Sequence, residues 1–405
     1  MSYVKSQLSN KKPFVILHFL IIVLLLVSGC YAKAETPATE SAAVTSQAAE
    51  DASWSEYLAA SETADAVTAA APLELSLPPR EIVPGPAFAL SAGSAKPGEP
   101  VTIAIRGIDA YGRNGTADND AAVNGAAGEK HEAGSGLPTS WVLRNLQAVL
   151  LDRQGRRLTK AAFFTLPREE GEQELRAAIL AVPTTAVSGN AVIRIESQDS
   201  IIKDLPFMIG SREFISEVIH LDQANTELRT VEDQQKTAES ELLWAILSRT
   251  GTEIYTQSSF LAPVSSTRRT SFYGDRRVYR YSDGSSDTTI HAGIDYGVPT
   301  GTEVRSCAAG RVVLARSRIV TGNSVVLEHL PGLYSLYYHM ENITIQEGSV
   351  VEAGALLGLS GSTGLATGPH LHWEIRVSGE YADPDAFLPR PILDKKDILS
   401  KLRED

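Results

Sequence analysis

Two histidines lie two residues apart near the C-terminus, in the stretch TGPHLHWEIR (Thr367–Arg376). Alternate residues of a β-strand point to the same face, so His370 and His372 would project together if this stretch is extended. An imidazole can bind a metal, carry a proton or fill a half-buried position, and the pair alone does not distinguish these roles. The chemistry depends on which other side chains reach the same face.

A second pattern, His291-Ala-Gly-Ile-Asp295, supplies an imidazole and a carboxylate on either side of a glycine. In a straight strand the outer Cα atoms would lie about 13 Å apart on one face. The missing side chain at Gly293 leaves room for an ion, and a bend there would shorten the gap. A catalytic zinc site typically has three protein ligands and an open position for water. His291, Asp295 and one histidine of the pair His370 and His372 would form such a set.

Proton transfer needs further groups, and the remaining histidine of that pair and His339, in SLYYHM, can supply them. Bound zinc lowers the pKa of its water towards 7, and a histidine at hydrogen-bond distance can take the proton or donate to a developing oxyanion. The residues do not decide which histidine is the general base. Five of the eight histidines lie in the last 115 residues, so this part of the chain should hold the site.

The bulk composition is that of a globular protein with two or three domains. The chain has 405 residues, 43% hydrophobic and 21% charged, with a formal net charge of −12. No basic excess is available to meet phosphates, which argues against nucleic acid as a partner.

The N-terminus resembles a bacterial lipoprotein signal peptide over residues 1–30. Two lysines precede an apolar run, Phe14–Val27, which is short for a spanning helix. The run ends in Val-Ser-Gly-Cys30, where a lipidated cysteine would become the new N-terminus. Cleavage after Ala32-Lys33-Ala34 is the alternative and would yield a secreted protein. The other cysteine, Cys307, lies in an apolar stretch that favours a buried, inert thiol.

Composition predicts a mainly β protein in several parts. Residues 31–80 read as a flexible Ala/Thr/Ser/Glu/Pro linker, and residues 81–211 as an immunoglobulin-like β-sandwich spacer with a mobile insertion, Tyr111–Leu137. Residues 212–258 suggest a connector with one amphipathic helix ending at Gly251. The remaining segments are a β-rich domain over residues 259–390 and a polar C-terminal tail over residues 391–405.

Several spaced motifs follow one another in the β-rich domain. They are SFYGDRRVY, HAGIDYGVPTGTEVRSCAAGRVVLAR, GNSVVLEHLPGLYSLYYHM, GSVVEAGALLGLSGSTGLATGPHLHWEIR and the trailing Asp383-Pro384. Together they resemble the lysostaphin-type (LytM-type) zinc metalloendopeptidases of peptidoglycan, and the resemblance covers about a third of the chain.

The resemblance implies a two-sheet antiparallel β domain with one zinc ion per chain. Its ligands would be His291, Asp295 and His372, with water as the fourth, and His339 and His370 would be the proton-handling pair. It also implies hydrolysis of peptidoglycan cross-links by zinc-activated water, in the cell envelope on the periplasmic side. The protein would be anchored to a membrane by a lipid on Cys30, with stem and cross-link peptides as substrate and cell-division or wall-synthesis proteins as further partners.

Two other functions compete with this hypothesis. A non-catalytic activator of a separate wall hydrolase would typically lack a ligand, and none is missing here. A cupin-like metal barrel would explain His-x-His, but it would need a glutamate further on than Glu374 and would leave Asp295 unexplained. His220 and His329 are predicted to be structural, and Tyr281 and Tyr337 to pack or to line a substrate wall.

Overall fold

The computed structural model describes residues 86–107, 145–197 and 200–402. The predicted signal peptide with Cys30, the linker of residues 31–80 and the insertion Tyr111–Leu137 lie outside these ranges. Strands dominate within them, so the prediction of a mainly β protein is confirmed. Across the same ranges, no helix is both long and apolar enough to span a membrane.

The first nine strands form two facing sheets. Their orders are β1-β3-β7-β6 and β2-β9-β8-β4-β5, and alternate apolar residues from both fill the space between them. The immunoglobulin-like subtype of this sandwich stays a prediction. The strands are β1 (Ala87–Leu90), β2 (Ser94–Ala95), β3 (Pro100–Arg106), β4 (Leu146–Leu151), β5 (Arg157–Ala162), β6 (Phe164–Thr165), β7 (Leu175–Ala181), β8 (Gly189–Ser197) and β9 (Ser200–Ile209).

The four-stranded sheet is buried on both faces. On β3, Val101 and Ile103 point into the sandwich core, while Ala104 belongs to a second core shared with the C-terminal domain. This explains why β3 and β7 carry nearly unbroken apolar runs instead of an alternating pattern. The sandwich therefore packs directly against the β-rich domain.

The connector differs from the single predicted helix. It contains a strand, β10 (Ser216–His220), and two helices, α1 (Gln223–Thr230) and α2 (Gln234–Leu247). The break arises because the Asp233 carboxylate accepts backbone hydrogen bonds from Gln235 and Lys236, which starts a new helix. The predicted glycine cap is wrong, since α2 ends with Ser248 at its C-cap.

The C-terminal domain is built on one large antiparallel sheet. Its main order is β11-β14-β21-β18-β17-β16-β19; β15 pairs with β20, β20 also with β18, and β22 with β21. A smaller sheet, β10-β12-β13, joins the connector to this domain. The strands are β11 (Arg269–Ser271), β12 (Arg276–Arg280), β13 (Ser286–Ile290), β14 (Gly293–Tyr296), β15 (Glu303–Arg305), β16 (Gly310–Arg318), β17 (Gly322–Leu330), β18 (Leu333–Ile343), β19 (Val350–Val351), β20 (Leu356–Ser360), β21 (Leu371–Val377) and β22 (Glu380–Ala382).

The predicted polar tail is instead a folded segment. A 3-10 helix, Pro384–Phe387, is followed by α3 (Lys395–Lys401), whose Ile398 is buried in the shared core. Thr102 on β3 donates its hydroxyl to the Ile392 carbonyl at 2.7 Å. The sequence reads as polar because its apolar residues are few, but Leu393, Ile398 and Leu402 are buried in the shared core and Ile392 and Leu399 pack against it.

Candidate metal centre

The chain breaks its strand at the first predicted site residue. β13 ends at Ile290 and β14 begins at Gly293, so His291 lies in the break between the two strands. A side chain at Gly293 would overlap the Trp373 carbonyl on the neighbouring strand. The glycine therefore permits close approach of β14 to β21, and the strand break lies two residues before the glycine, where the sequence suggested a bend.

Register places the other two candidate ligands opposite each other. Asp295 on β14 pairs with His372 on β21, and His372 pairs in turn with Tyr338 on β18. Side chains opposite each other on adjacent strands share a face. Residues that lie 77 positions apart in sequence therefore meet because of strand pairing.

Three atoms converge in this buried cluster. His291 Nε2 lies 3.0 Å from Asp295 Oδ1 and 3.0 Å from His372 Nδ1, and His372 Nδ1 lies 2.8 Å from the same carboxylate oxygen. All three side chains are buried. Among the described residues this is the one group of three or more His, Cys, Asp or Glu side chains with donor atoms close enough to hold an ion.

The remaining polar atoms of the cluster are held by protein groups. His291 Nδ1 donates to the Phe272 carbonyl at 2.9 Å, and His372 Nε2 lies 3.3 Å from the Glu374 carboxylate. Arg277 Nη2 pairs with Asp295 Oδ2. These contacts orient Nε2 of His291, Nδ1 of His372 and Oδ1 of Asp295 towards one another.

The electrostatics of the cluster favour a carboxylate between imidazoles. Although burial favours the neutral acid, the neighbouring His291 and His372 hold the pKa of Asp295 well below its usual range. Burial lowers the pKa of His291, an effect opposed by Asp295. Burial also opposes a charge on His372, but the hydrogen bonds to Asp295 and Glu374 raise its pKa to about 9. A metal at Nδ1 would have to displace that proton, so metal affinity should rise with pH.

His339 reaches the same face through an irregular backbone. It follows Tyr338 on β18, and neighbouring strand residues normally point to opposite faces. Its φ angle is +61°, and the β17–β18 register shifts beside it, as in a β-bulge. Its ring consequently lies 4.7 Å from His370 and 6.4 Å from His372, centroid to centroid.

His339 and His370 are anchored in the same way. The Nδ1 atom of His339 donates to the Thr363 carbonyl, and that of His370 to the Gly368 carbonyl, each at 2.8 Å. These bonds occupy both Nδ1 atoms, and Nε2 of His370 lies 3.9 Å from Asp295 Oδ1. Burial and the neighbouring His370 and His372 lower the pKa of His339 to about 3, so its ring is neutral at pH 7.

Sequence reasoning missed three residues that contact the cluster. Tyr338 stacks on His372 at 5.4 Å with the ring planes 6° apart, and Arg277 and Glu374 hold two members of the cluster. Strand alternation counted from His372 identifies Glu374, but Arg277 and Tyr338 depend on strand pairing across the sheet. Tyr337, singled out beforehand, is fully buried and hydrogen-bonded to the Cys307 amide, and the Tyr281 hydroxyl accepts from Arg229.

His329 lies in a separate buried network. Its Nδ1 donates to the Ala309 carbonyl at 2.8 Å, and its Nε2 lies 2.7 Å from Ser335 Oγ and 3.6 Å from the Cys307 sulfur. Burial raises the pKa of Cys307 to about 12, so this thiol is protonated at neutral pH. The network fills the core and does not contact the cluster of His291, Asp295 and His372.

The burial of His329 predicts a pH-dependent stability. Burial lowers its pKa from 6.5 to about 4, opposed by the bond to Ala309. As the pH falls from 6.5 to 4 the unfolded chain takes up this proton and the folded chain does not, so the free energy of unfolding falls, by on the order of 3 kcal/mol. His329→Gln lacks this contribution. The difference in free energy of unfolding between the wild type and His329→Gln should therefore shrink as the pH falls from 6.5 to 4. Denaturant unfolding at several pH values measures the gap, with the exposed His220→Gln as control; a constant gap would contradict the expectation.

The donor set of the cluster fits a catalytic transition metal. Two imidazole nitrogens and one carboxylate oxygen suit zinc, and three protein ligands leave a position for water. All three donor atoms point at a common space, while the second ring nitrogens and the second carboxylate oxygen are bonded elsewhere. The residues present therefore fit such an ion.

Comparison with known proteins finds a match to a peptidase family over this centre. Residues 289–384, which include the whole cluster with His339 and His370, match the model of Peptidase family M23. The chain thus carries an M23 peptidase domain, and the predicted resemblance to lysostaphin-type enzymes is confirmed.

Several relatives can be named. The chain is 37% identical over 138 residues to the DD-carboxypeptidase/endopeptidase Mpg of Neisseria meningitidis, covering 34% of this chain and 31% of that protein. It is 42% identical over 89 residues to the peptidoglycan DD-endopeptidase ShyA of Vibrio cholerae, covering 22% and 21%. The solved catalytic domain of lysostaphin from Staphylococcus simulans is 26% identical, covers 31% of this chain and 81% of that domain, and has a TM-score of 0.22. The matches span about a third or less of these two curated relatives.

Proposed function

We propose that this protein is an exported zinc metalloendopeptidase that hydrolyses peptide cross-links of bacterial peptidoglycan. The observation that carries the proposal is the convergence of His291, Asp295 and His372 on one point, beside the rings of His339 and His370, whose Nδ1 atoms bond to backbone carbonyls. The substrate class is inferred from relatives named as DD-endopeptidases. Their names favour a cross-link between two D-residues as the bond that is cut.

Three residues of the site are assigned to metal binding and two to proton transfer. His291 Nε2, Asp295 Oδ1 and His372 Nδ1 would hold one zinc ion, which when bound supplies a Lewis acid for the water and the scissile carbonyl. Of His339 and His370, the one whose ring is neutral takes the proton of the attacking water on Nε2, and the other donates from Nε2 to the developing oxyanion when its ring carries a second proton. Because both Nδ1 protons are committed to backbone carbonyls, each ring presents only Nε2 to the substrate.

Purified sacculi provide the direct test. The chain from Tyr31 onwards is incubated with sacculi, with a chelator, and with the chelator followed by zinc, and released muropeptides are identified by mass. Loss of cross-linked dimers that the chelator stops and zinc restores is the expected result, and the masses name the bond. If zinc binds and no dimer is lost, the protein would instead be a wall-binding activator of another hydrolase.

The guanidinium of Arg277 should strengthen metal binding by holding Asp295. Replacement of Arg277 by Met removes the partner of Oδ2 and lets the carboxylate turn, so the zinc dissociation constant should rise about 10- to 100-fold. Arg280→Met, at an exposed position on the same strand, is the matched control. Competition against a fluorescent zinc chelator measures both, and equal affinities for Arg277→Met and wild type would remove Arg277 from this role.

Anchoring through Cys30 forms part of the proposal. We expect Cys30→Ala to move the protein from the membrane to the soluble fraction, since acyl chains bind membranes through their buried methylene groups. Cys307→Ala is the control, because this thiol is fully buried in the folded domain. Fractionation of expressing cells with immunoblotting distinguishes the two. A wild-type protein that is already in the soluble fraction would favour cleavage after Ala34 and simple secretion, and an unchanged membrane fraction for Cys30→Ala would contradict anchoring through this cysteine.

A further inference from the structure

Helix α2 lies outside residues 289–384, which match the peptidase family, yet it packs on the back of the site. Its Ile246 and Leu247 are buried in a cluster with Leu314, Val326 and Tyr338. Tyr338 precedes His339 and stacks on His372. The C-terminal half of α2 therefore supports the strand that carries His339.

The N-terminal half of α2 holds the turn between β16 and β17, residues 319–321. Glu239 Oε2 accepts the Ile319 amide at 2.8 Å, and the Glu239 carbonyl accepts from Arg318 Nη2 at 3.3 Å. The other amino group of Arg318 donates to Thr321 Oγ1 at 3.0 Å. Both ends of the turn are thus tied to one residue of the helix, through the Ile319 amide and through the buried Arg318 side chain.

The same turn holds His339 in its left-handed backbone conformation. The Thr321 carbonyl accepts the His339 amide at 2.9 Å. A non-glycine residue at positive φ costs free energy and persists only where its surroundings hold it. The amide bond to Thr321 is one such restraint, because it ties the irregular residue of β18 to the β16–β17 turn.

The turn also contacts the loop that orients the His339 ring. The Val320 carbonyl accepts the Leu365 amide at 2.8 Å, and a side chain at Gly364, whose φ is +73°, would overlap Val320 and Gly322. Thr363, next to this contact, accepts the His339 Nδ1 proton. Backbone and ring of His339 therefore depend on the position of one turn.

We propose that Glu239 is a positioning residue for the peptidase centre, acting through the β16–β17 turn to hold His339 towards the substrate. This inference rests on the proposed function, in which His339 handles a proton. It makes the connector helix a working part of the site, since without the Glu239 side chain the turn loses the carboxylate oxygen that accepts the Ile319 amide, while the bond from Arg318 to the Glu239 carbonyl stays.

The test compares Glu239→Ala, Glu239→Gln and Glu241→Ala in the chain from Tyr31 onwards. Glu239 is half-exposed on the helix surface, so its replacement leaves the core intact, and Glu241 is exposed on the same helix. A purified cross-linked muropeptide dimer serves as substrate. We expect Glu239→Ala to lower kcat roughly 10- to 100-fold with KM and zinc content unchanged, because a displacement of about 1 Å is costly to catalysis.

Glu239→Gln should recover most of kcat, because its amide oxygen can still accept from Ile319 while Gln235, now bonded to Oε1 at 2.8 Å, can turn its amide to match. Glu241→Ala should behave as wild type. A normal kcat for Glu239→Ala, a parallel loss of zinc, or no recovery in the Gln variant would each overturn the positioning role.

Hydrogen exchange separates this inference from the proposed function. Amide exchange over residues 336–343 should be faster in Glu239→Ala than in wild type and normal in Glu239→Gln. If the wild type does not cleave the dimer, the proposed function has failed, and this measurement still decides whether Glu239 restrains His339. Equal exchange in all four proteins would contradict the restraint.

Discussion

His372→Ala is expected to purify with well below one zinc ion per chain and to lose activity with it. The substitution removes one of three ligand atoms, at the position where Nδ1 lies within 3.0 Å of both other donors. It also leaves Glu374 facing an empty space, although Arg376 still pairs with that carboxylate. Two ligands hold zinc far more weakly than three, because each lost bond must be replaced by water.

Elemental analysis of the dialysed protein measures this loss, together with a zinc titration against a chelator of known affinity. His370→Ala is the matched control: the same residue type, two positions earlier on the same face, whose Nε2 lies 3.9 Å from Asp295 and is not required as a ligand. The control should keep its zinc and lose turnover. Unchanged stoichiometry in His372→Ala would remove His372 from the ligand set.

The second large effect is expected at His339, where zinc should stay and turnover should fall. A positioned acid or base typically contributes 10²- to 10⁴-fold, so kcat of an imidazole-free variant should fall by about that factor. His339→Asn is the informative substitution, because asparagine tolerates the positive φ of +61° and the backbone can keep its course. A lower kcat in His339→Asn then reflects the missing imidazole ring and not a disrupted β-bulge.

Steady-state kinetics on a cross-linked muropeptide, with zinc content measured on the same samples, test this expectation. His220→Asn, at an exposed position on β10, controls for the substitution itself. If His339→Asn turns over normally, the proton transfers must belong to His370 and another group. Zinc loss in His339→Asn would instead indicate a structural contribution to the metal centre.

Much of the site was predictable from the sequence because its signals are local. Strand alternation places His370 and His372 on one face, and both approach the same oxygen of Asp295. The glycine between His291 and Asp295 suggested room for an ion and a bend, although the structure uses Gly293 to admit the neighbouring strand and interrupts the strand at His291. Residue type and short spacing therefore identified the candidate metal-binding and proton-transfer residues, since both can be read from a few neighbouring positions of the sequence.

Local sequence patterns were less informative where tertiary packing determines the secondary structure. Asp233 caps a second helix in the connector. This local capping signal overrides the longer apolar pattern, which predicted a single helix. The predicted tail became a helix against the sandwich, where the carbonyls of Ile392 and Leu402 accept hydrogen bonds from Thr102 and Arg106, which lie 290 and 296 residues away in sequence. Such partners are invisible to periodicity.

The sequence by itself determined the mainly β class, the candidate ligands and the peptidase resemblance, because alternation and motif order do not depend on distant contacts. Only the tertiary structure decided how His339 turns onto the face of its neighbour, which charges orient Asp295 and His372, and that a helix outside the peptidase match supports the site. These features require strands and turns far apart in sequence to meet in one register. Register depends on the packing of the whole sheet, and no short stretch of sequence carries it.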